Sequence, residues 1–256
     1  MSSVNASQRE PLLHNMVTII TGASRGIGKT LALAFANEGA IIVAAARKAT
    51  GPNSVEETVR QIAVDGGQAI AVQCDVTSPE DVKTLVDTTL QRFGHIDILV
   101  NNAGVGIWKD IRLLTLDDWN VSISVNLKGV FLCCKYAIPS MIERRSGHII
   151  NLSSSMAYRY VPEDLAYSPT KAGLDRFTLN LANDVKKHNV AVNSFGPGYV
   201  KTDMARKGSP EPVFTVVPAA IWLAQQTAST FTAQVVDRRD FGKTWGPGIP
   251  PKLYKL

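Results

Sequence analysis

Short apolar runs rich in β-branched residues alternate with longer amphipathic segments along most of the chain. Such runs are typical of strands buried on both faces, and the segments between them are long enough for helices. Because right-handed crossovers join successive parallel strands, the alternation predicts an α/β fold: a Rossmann-like, doubly wound parallel β-sheet with helices on both faces. The six runs lie at residues 16–21, 40–46, 69–74, 96–101, 148–152 and 190–195, and a seventh short strand is expected at residues 234–236.

The chain has enough apolar surface for one sizeable core. Of its 256 residues, 45% are hydrophobic and 19% are charged, and α/β chains of this length commonly fold as one unit. No internal repeat, low-complexity tract or linker divides the sequence. We therefore expect a polar leader at residues 1–13, a single domain over residues 14–245 and a C-terminal tail over residues 246–256.

Charge and cysteine usage argue against several classes of protein. The net charge is +5, but the basic residues come in scattered pairs without a long stripe, so no nucleic-acid partner is expected. No apolar run approaches the roughly 20 residues of a membrane span. The three cysteines are odd in number and lack C-x-x-C spacing, which argues against a disulfide framework or a metal site and favours a reducing compartment.

The two chain ends carry little targeting information. The first fifteen residues lack the apolar stretch of a secretory signal, so we expect a cytoplasmic protein. The last three residues, Tyr254-Lys255-Leu256, are faintly similar to the peroxisomal S-K-L signal, but the first of them is neither small nor serine. Peroxisomal import is the lesser alternative.

A glycine-rich turn joins the first predicted strand to the first predicted helix. It reads Thr21-Gly22-Ala23-Ser24-Arg25-Gly26-Ile27-Gly28. Glycines let the backbone approach a pyrophosphate closely, while the N–H groups of the following helix point at it. The glycine spacing alone would also suit an ordinary tight turn, but its place in the first βα unit favours a dinucleotide site.

The spacing Gly-x-x-x-Gly-x-Gly, with motifs further along the chain, resembles the short-chain dehydrogenase/reductase family. These motifs follow in family order: Asp75-Val76, Asn101-Asn102-Ala103-Gly104, Asn126, Ser154, Tyr167-x-x-x-Lys171 and Pro197-Gly198. The resemblance covers roughly residues 14–204. It implies cofactor contacts from Gly22, Ser24, Arg25, Gly26, Ile27, Gly28, Asp75, Val76, Asn102, Ala103, Gly104, Tyr167, Lys171, Pro197, Gly198, Val200 and Thr202.

The residues after the second predicted strand indicate which nicotinamide cofactor binds. In dinucleotide-binding folds an acid at this place bonds the ribose of NAD, whereas an arginine accommodates the 2′-phosphate of NADP. Here Arg47 and Lys48 follow three alanines, and Arg25 can reach the same phosphate from the glycine loop. NADP(H) is therefore favoured over NAD(H). The alternative is that all three are solvated surface cations.

The resemblance also assigns the chemistry. It implies that Tyr167 exchanges a proton with the substrate oxygen, that Lys171 holds the nicotinamide ribose and that Ser154 hydrogen-bonds the substrate oxygen. Asn126 would hold a water that links the lysine to solvent. Because a free phenol titrates near 10, we expect Lys171 and an oxidised nicotinamide to lower the pKa of Tyr167. Ser153 and a further serine flank Ser154, so a shift of one position would assign this role to a neighbouring serine.

The sequence departs from the family pattern near its end. Asp237 is followed by Arg238 and Arg239 where family members commonly have two glycines, and the 35 positions from Thr202 to Asp237 look short for a substrate lid. The helices around Asn126 and Tyr167 commonly form family interfaces, so a homodimer or homotetramer is expected. A polar or anionic substrate that touches Arg159 is a further hypothesis, and a solvent-facing loop is its alternative.

Together these features predict an NADP(H)-dependent oxidoreductase that interconverts a small ketone or aldehyde and an alcohol. One alternative is a catalytically silent NADP(H)-binding regulatory or scaffold protein, and another is reduction of an enoyl or imine group with the same tyrosine. We expect substrate specificity to come from residues 105–108, the loop before Tyr167 and residues 202–217.

Overall fold

A computed structural model of the chain describes residues 10–205, 208 and 211–251. Residues 1–9 of the expected leader and 252–256 of the expected tail, including Tyr254-Lys255-Leu256, lie outside the described residues, as do four residues of the expected lid. Within the described part, Leu13 is fully buried, and its N–H donates to the carbonyl of Glu38 at 2.9 Å. The domain boundaries stay a prediction.

All seven predicted strands are present and form one parallel sheet in the order β3-β2-β1-β4-β5-β6-β7. The order reverses between β1 and β4, which opens a crevice at the carboxyl ends of the strands. The predicted Rossmann-like, single-domain fold is confirmed. The strands are β1 Val17–Thr21, β2 Ile41–Ala46, β3 Ala69–Gln73, β4 Ile98–Asn101, β5 Gly147–Leu152, β6 Val190–Gly196 and β7 Gln234–Asp237.

Helices cover both faces of this sheet, and successive strand residues bury their side chains in two separate cores. Ile20 belongs to the core that includes α1 and α7, whereas its neighbour Ile19 belongs to the core that includes α3, α5 and α6. The helices are α1 Gly26–Asn37, α2 Val55–Val64, α3 Pro79–Phe93, α4 Leu116–Ile123, α5 Gly129–Arg144, α6 Ser168–Val185 and α7 Val217–Ala224, and a π-helical turn at Ser124–Lys128 joins α4 to α5.

The continuous helical stretch Leu116–Arg144 is, among the described residues, the one helix whose length and composition would allow it to cross a membrane. Its apolar character has another explanation in the fold. Cys133, Ala137 and Met141 on this stretch are buried at no more than 2% exposure in the second core. No run of comparable length stood out in the sequence because Asn126 and Lys128 interrupt it.

Arg238 and Arg239, which stand where family members commonly have two glycines, form hydrogen bonds and ion pairs at the end of the sheet. Arg238 donates from Nε to the carbonyl of Pro197 at 2.9 Å and pairs with Glu211, whose backbone bridges to Val200. The Arg239 guanidinium donates two hydrogen bonds of 2.8 Å to the carboxylate of Asp237. Arg238 therefore fastens the segment after β6 to the segment after β7, whereas Arg239 braces the end of β7 itself.

Candidate active site

The glycine loop lies at the carboxyl end of β1, and its geometry admits no larger residue at two places. Gly22 has φ of +67°, in the left-handed region. A Cβ at Gly28 would lie 2.3 Å from the carbonyl oxygen of Gly22 and 2.4 Å from Nδ2 of Asn102. The loop is therefore pulled tight against the end of β4.

Asn102 and Thr21 hold the glycine loop and the loop after β4 together. The Asn102 amide donates to the carbonyls of Thr21 at 2.9 Å and Gly22 at 3.2 Å. The Thr21 hydroxyl accepts from the N–H groups of Asn102 and Ala103, each at 3.1 Å. Thr21 was not singled out from the sequence, although its place directly before the first glycine is a signal that could have found it. Gly104 follows in the same loop.

The start of α1 suits the pyrophosphate of a dinucleotide. Arg25 is the N-cap residue and makes no side-chain capping hydrogen bond, so the first N–H groups of α1 remain available to an anion. Gly26 has φ of +55°, and the Thr202 side chain lies 3.4 Å from where its Cβ would be. Ser24 and Ile27 lie beside these glycines, half-buried. The glycine backbone that a ligand can approach closely and the available N–H donors of α1 together fit the pyrophosphate of the predicted cofactor.

The remaining predicted cofactor residues lie at the ends of the neighbouring strands. After β3, Asp75 accepts from the N–H and hydroxyl of Thr77 at 2.9 and 2.8 Å, and Val76 is buried. After β6, Gly198 has φ of +77° and lies against the Arg238 guanidinium. Pro197 and Val200 flank it.

Of the three cations proposed for the 2′-phosphate, only Arg47 has an unengaged side chain. It is exposed and makes no ion pair with any residue that the structure describes. Lys48 donates to the carbonyl of Pro52, and Arg25 pairs with Asp203 at 3.2 Å, with both side chains largely exposed. Arg47 is therefore the side chain best placed to meet a phosphate.

Tyr167, Ser154 and Lys171 come together where β5 ends and α6 begins. Tyr167 is the N-cap residue of α6, and its side chain is buried. Lys171, one turn further along, donates from Nζ to the carbonyl of Leu152 at 2.6 Å and lies 5.5 Å from the centre of the Tyr167 ring. Ser154, rather than Ser153, interacts with the phenol. The assignment of Ser154 as the serine that bonds the substrate stays a prediction.

Burial dominates the proton affinities of this site. It raises the pKa of Tyr167 to about 12, an effect that the interaction with Ser154 only partly offsets. The lowering expected from Lys171 together with an oxidised nicotinamide stays a prediction. Burial also lowers the pKa of Lys171 to about 8, while the carboxylate of Asp175 opposes that change.

Asn126 is fully buried in the π-helical turn between α4 and α5. Its carboxamide donates to the carbonyl of Val105 at 2.9 Å and accepts from the N–H of Val105 at 2.8 Å. The side chain thereby fixes the loop after β4. A relay water at this place would have to be held chiefly by backbone.

Asp175 is a polar residue of the site that the sequence reasoning missed. It lies one turn after Lys171 on α6 and accepts from the Ser194 hydroxyl of β6 at 2.5 Å. Its burial raises the pKa of its carboxyl group. The signal was an acid four positions after the lysine. Arg159, by contrast, is exposed on the loop before Tyr167, and its role with a substrate stays a prediction.

Comparison with known proteins extends this picture. Residues 16–212 match the short chain dehydrogenase family. The chain is 42% identical over 207 residues to a 3-oxoacyl-[acyl-carrier-protein] reductase of Synechocystis sp., covering 80% of this chain and 82% of that protein. It is 33% identical over 244 residues to the reductase of the same description from Thermotoga maritima, covering 88% and 96%.

Solved structures agree with these sequence relatives. A crystal structure of a single-residue variant of actinorhodin polyketide ketoreductase with NADPH superposes with a TM-score of 0.81 at 27% identity, covering 87% of this chain and 95% of that one. A putative short-chain alcohol dehydrogenase from Sinorhizobium meliloti also gives a TM-score of 0.81, at 28% identity, covering 88% and 95%.

Proposed function

Because the chain belongs to the short-chain dehydrogenase/reductase family of oxidoreductases, we propose that it is an NADP(H)-dependent reductase that converts the carbonyl group of a small ketone or aldehyde into an alcohol. One observation carries the proposal. The buried phenol of Tyr167 meets Ser154 and lies beside Lys171, at the sheet edge that also holds the glycine loop. The relatives described as reductases of 3-oxoacyl groups act on ketones by their names, which supports this direction.

In this reaction Tyr167 is the proton donor. NADPH, when bound, supplies the hydride to the carbonyl carbon, and the phenol gives its proton to the carbonyl oxygen. A pKa near 12 keeps the phenol protonated at neutral pH, as a donor must be. Ser154 donates a hydrogen bond to the same oxygen while negative charge develops there.

Lys171 serves the cofactor and the proton supply. Its ammonium is buried close to the Tyr167 ring, where it would bond the nicotinamide ribose hydroxyls and help to return a proton to the tyrosine. The backbone around Asn126 would hold the water through which that proton arrives. Each of these roles needs the ammonium to be charged.

NADP(H) is the proposed cofactor because Arg47 is exposed and unengaged at the end of β2, where the adenine ribose would lie. The related ketoreductase structure with NADPH supports the same choice. We also propose a cytoplasmic location, because Cys74, Cys133 and Cys134 are all free and buried, as suits a reducing compartment.

We also propose that the protein is a homodimer or homotetramer that associates through the helices beside Asn126 and Tyr167. An apolar groove of about 450 Å³ lies there on the surface. Phe131 in this groove is 46% exposed, which is a large apolar side chain left in water by a single copy. The groove is lined by Ile123, Leu127, Lys128, Phe131, Gly173, Arg176, Phe177 and Asn180.

The test of the proposed function is NADPH oxidation by the purified protein over a panel of ketones, aldehydes, enones and imines, with Tyr167→Phe beside it. Loss of a general acid costs roughly 100- to 10,000-fold, so Tyr167→Phe should be nearly inactive. Tyr160→Phe is the control, because Tyr160 is 92% exposed. NADPH affinity, followed by its fluorescence, should be alike in all three proteins.

Other outcomes would identify the alternatives. NADPH binding without turnover of any carbonyl compound would contradict the reductase and favour a regulatory or scaffold protein. Turnover confined to enones or imines would keep the tyrosine but change the substrate class.

A further inference from the structure

The loop that follows β4 is fixed at both ends. At its start, the Asn126 carboxamide bonds both backbone groups of Val105 at 2.8 and 2.9 Å. At its end, the N–H of Lys109 donates to the carbonyl of Glu163 at 3.0 Å, and Lys109 forms a parallel bridge with Asp164. The loop is thereby joined to the segment that leads into α6, so the residues between its ends have little freedom to move.

Trp108 occupies this restrained stretch and faces the reacting tyrosine. Its ring centre lies 6.0 Å from that of Tyr167, with the two planes inclined at 50°. The indole lies directly on the backbone of Gly106, where a Cβ would come within 2.2 Å of Cη2 and 2.6 Å of Cζ2. The missing side chain at Gly106 is therefore what allows the indole to occupy this position beside the phenol.

A second apolar side chain lies beside the start of this loop. The Met204 methyl group lies 4.0 Å from where a Cβ of Gly104 would be, and Met204 is 38% exposed. Thioether and indole groups both favour contact with flat rings. The Trp108 indole therefore lies beside the Tyr167 ring, and the Met204 thioether lies beside the start of the same loop.

We propose that Trp108 determines substrate specificity and that the preferred substrates are ketones carried on a flat, largely apolar ring. This inference rests on the proposed reductase function. Because the indole lies beside the Tyr167 ring, we expect a substrate whose carbonyl oxygen receives the Tyr167 proton to place its neighbouring atoms against the indole. A planar ring fused to that carbonyl stacks on the indole with its whole face, whereas a straight chain touches it with a few methylenes.

The experiment compares two ten-carbon ketones, 1-tetralone and 2-decanone, as substrates for NADPH oxidation. The unaltered protein should have the higher kcat/KM for 1-tetralone. Trp108→Ala should lower that value roughly 3- to 10-fold and leave 2-decanone nearly unchanged. Trp108→Phe should keep most of the preference, and Gly106→Ala, which displaces the indole, should act like Trp108→Ala. Tyr160→Ala, which removes an exposed aromatic ring from the neighbouring loop, is the control.

NADPH affinity is measured for every variant and should not change, because a merely structural defect would weaken cofactor binding as well. An equal loss on both ketones, or a higher kcat/KM of the unaltered protein for 2-decanone, would overturn the role of Trp108 while the reductase function stands. Absence of any carbonyl reduction by a protein that binds NADPH would instead refute the proposed function, and this inference with it.

Discussion

Lys171 and Asp175 lie one helical turn apart on α6, and each is anchored to a different strand of the sheet. Lys171 bonds the carbonyl of Leu152 on β5, and Asp175 accepts from Ser194 on β6, whose register partner on β5 is Asn151. The ammonium and the carboxylate are thus held at adjacent levels of the sheet in a buried region. A nearby carboxylate favours the charged form of a lysine that burial would otherwise neutralise.

This pairing predicts a pH dependence. With a pKa of about 8, Lys171 is charged below that pH and loses its proton above it, so kcat/KM should be level below pH 8 and fall above it. Asp175→Asn removes the opposing charge, so the pKa of Lys171 should drop further and the fall should begin at lower pH. The measurement is the pH profile of kcat/KM for both proteins.

Ser194→Ala is the matched control for this prediction, since it removes the hydrogen bond to Asp175 but keeps the carboxylate. Its profile should fall at a pH closer to that of the unaltered protein. Superimposable profiles for Asp175→Asn and the unaltered protein would show that Asp175 does not support the charge on Lys171.

Two elements form the proposed cofactor site, and they would contribute different chemistry. The N-terminus of α1 offers backbone donors, whereas the end of β2 offers cationic side chains. Arg47 and Lys48 are adjacent there, but the Lys48 ammonium bonds the carbonyl of Pro52 and only the Arg47 guanidinium is unengaged. The preference for NADP(H) should therefore depend on one of two neighbouring cations.

Arg47→Glu tests this division. Loss of a charge-assisted hydrogen bond costs about 1.5–3 kcal/mol, so the KM for NADPH should rise at least tenfold while the KM for NADH stays level or falls. Lys48→Glu, with the same change of charge, should have a much smaller effect on the ratio of the two KM values. A similar loss in both variants would indicate that general positive charge, and not Arg47, attracts the cofactor.

At the scale of the whole molecule, the proposed active site lies at the carboxyl edge of the sheet, and the proposed subunit interface lies on the α5–α6 surface. On that surface Phe131 and Phe177 line a groove together with Lys128 and Arg176. If two copies meet here across a twofold axis, each apolar patch covers the other. A cation added to the groove would then face its own copy and the existing basic residues.

Phe131→Lys should accordingly dissociate the assembly. Light scattering should give the mass of a dimer or tetramer for the unaltered protein and 27.7 kDa for the variant. Leu113→Lys is the control, because Leu113 is 69% exposed and does not line the groove. A monomeric unaltered protein, or an assembly that survives Phe131→Lys, would contradict the predicted interface.

Features that depend on neighbours in sequence were determined by the sequence itself. The alternation of apolar runs predicted seven strands, and all seven are present. The prediction was possible because a buried strand needs a short, continuous run of apolar residues. The glycine loop and the spacing from Tyr167 to Lys171 likewise reflect local geometry: a left-handed turn at Gly22 and one helical turn in α6.

Contacts between residues distant in sequence were decided only by the tertiary structure. Packing of β5 against α6 placed Ser154 near the Tyr167 phenol and Asp175 near Lys171. It also buried Tyr167, and this burial raises the pKa of the phenol, a contribution that the sequence does not reveal. The bridge between Lys109 and Asp164 placed Trp108 beside Tyr167. The hydrogen bond from Arg238 to Pro197 gives a structural role to an arginine that departs from the family pattern. Burial and long-range pairing depend on how all elements pack together, which no local pattern encodes.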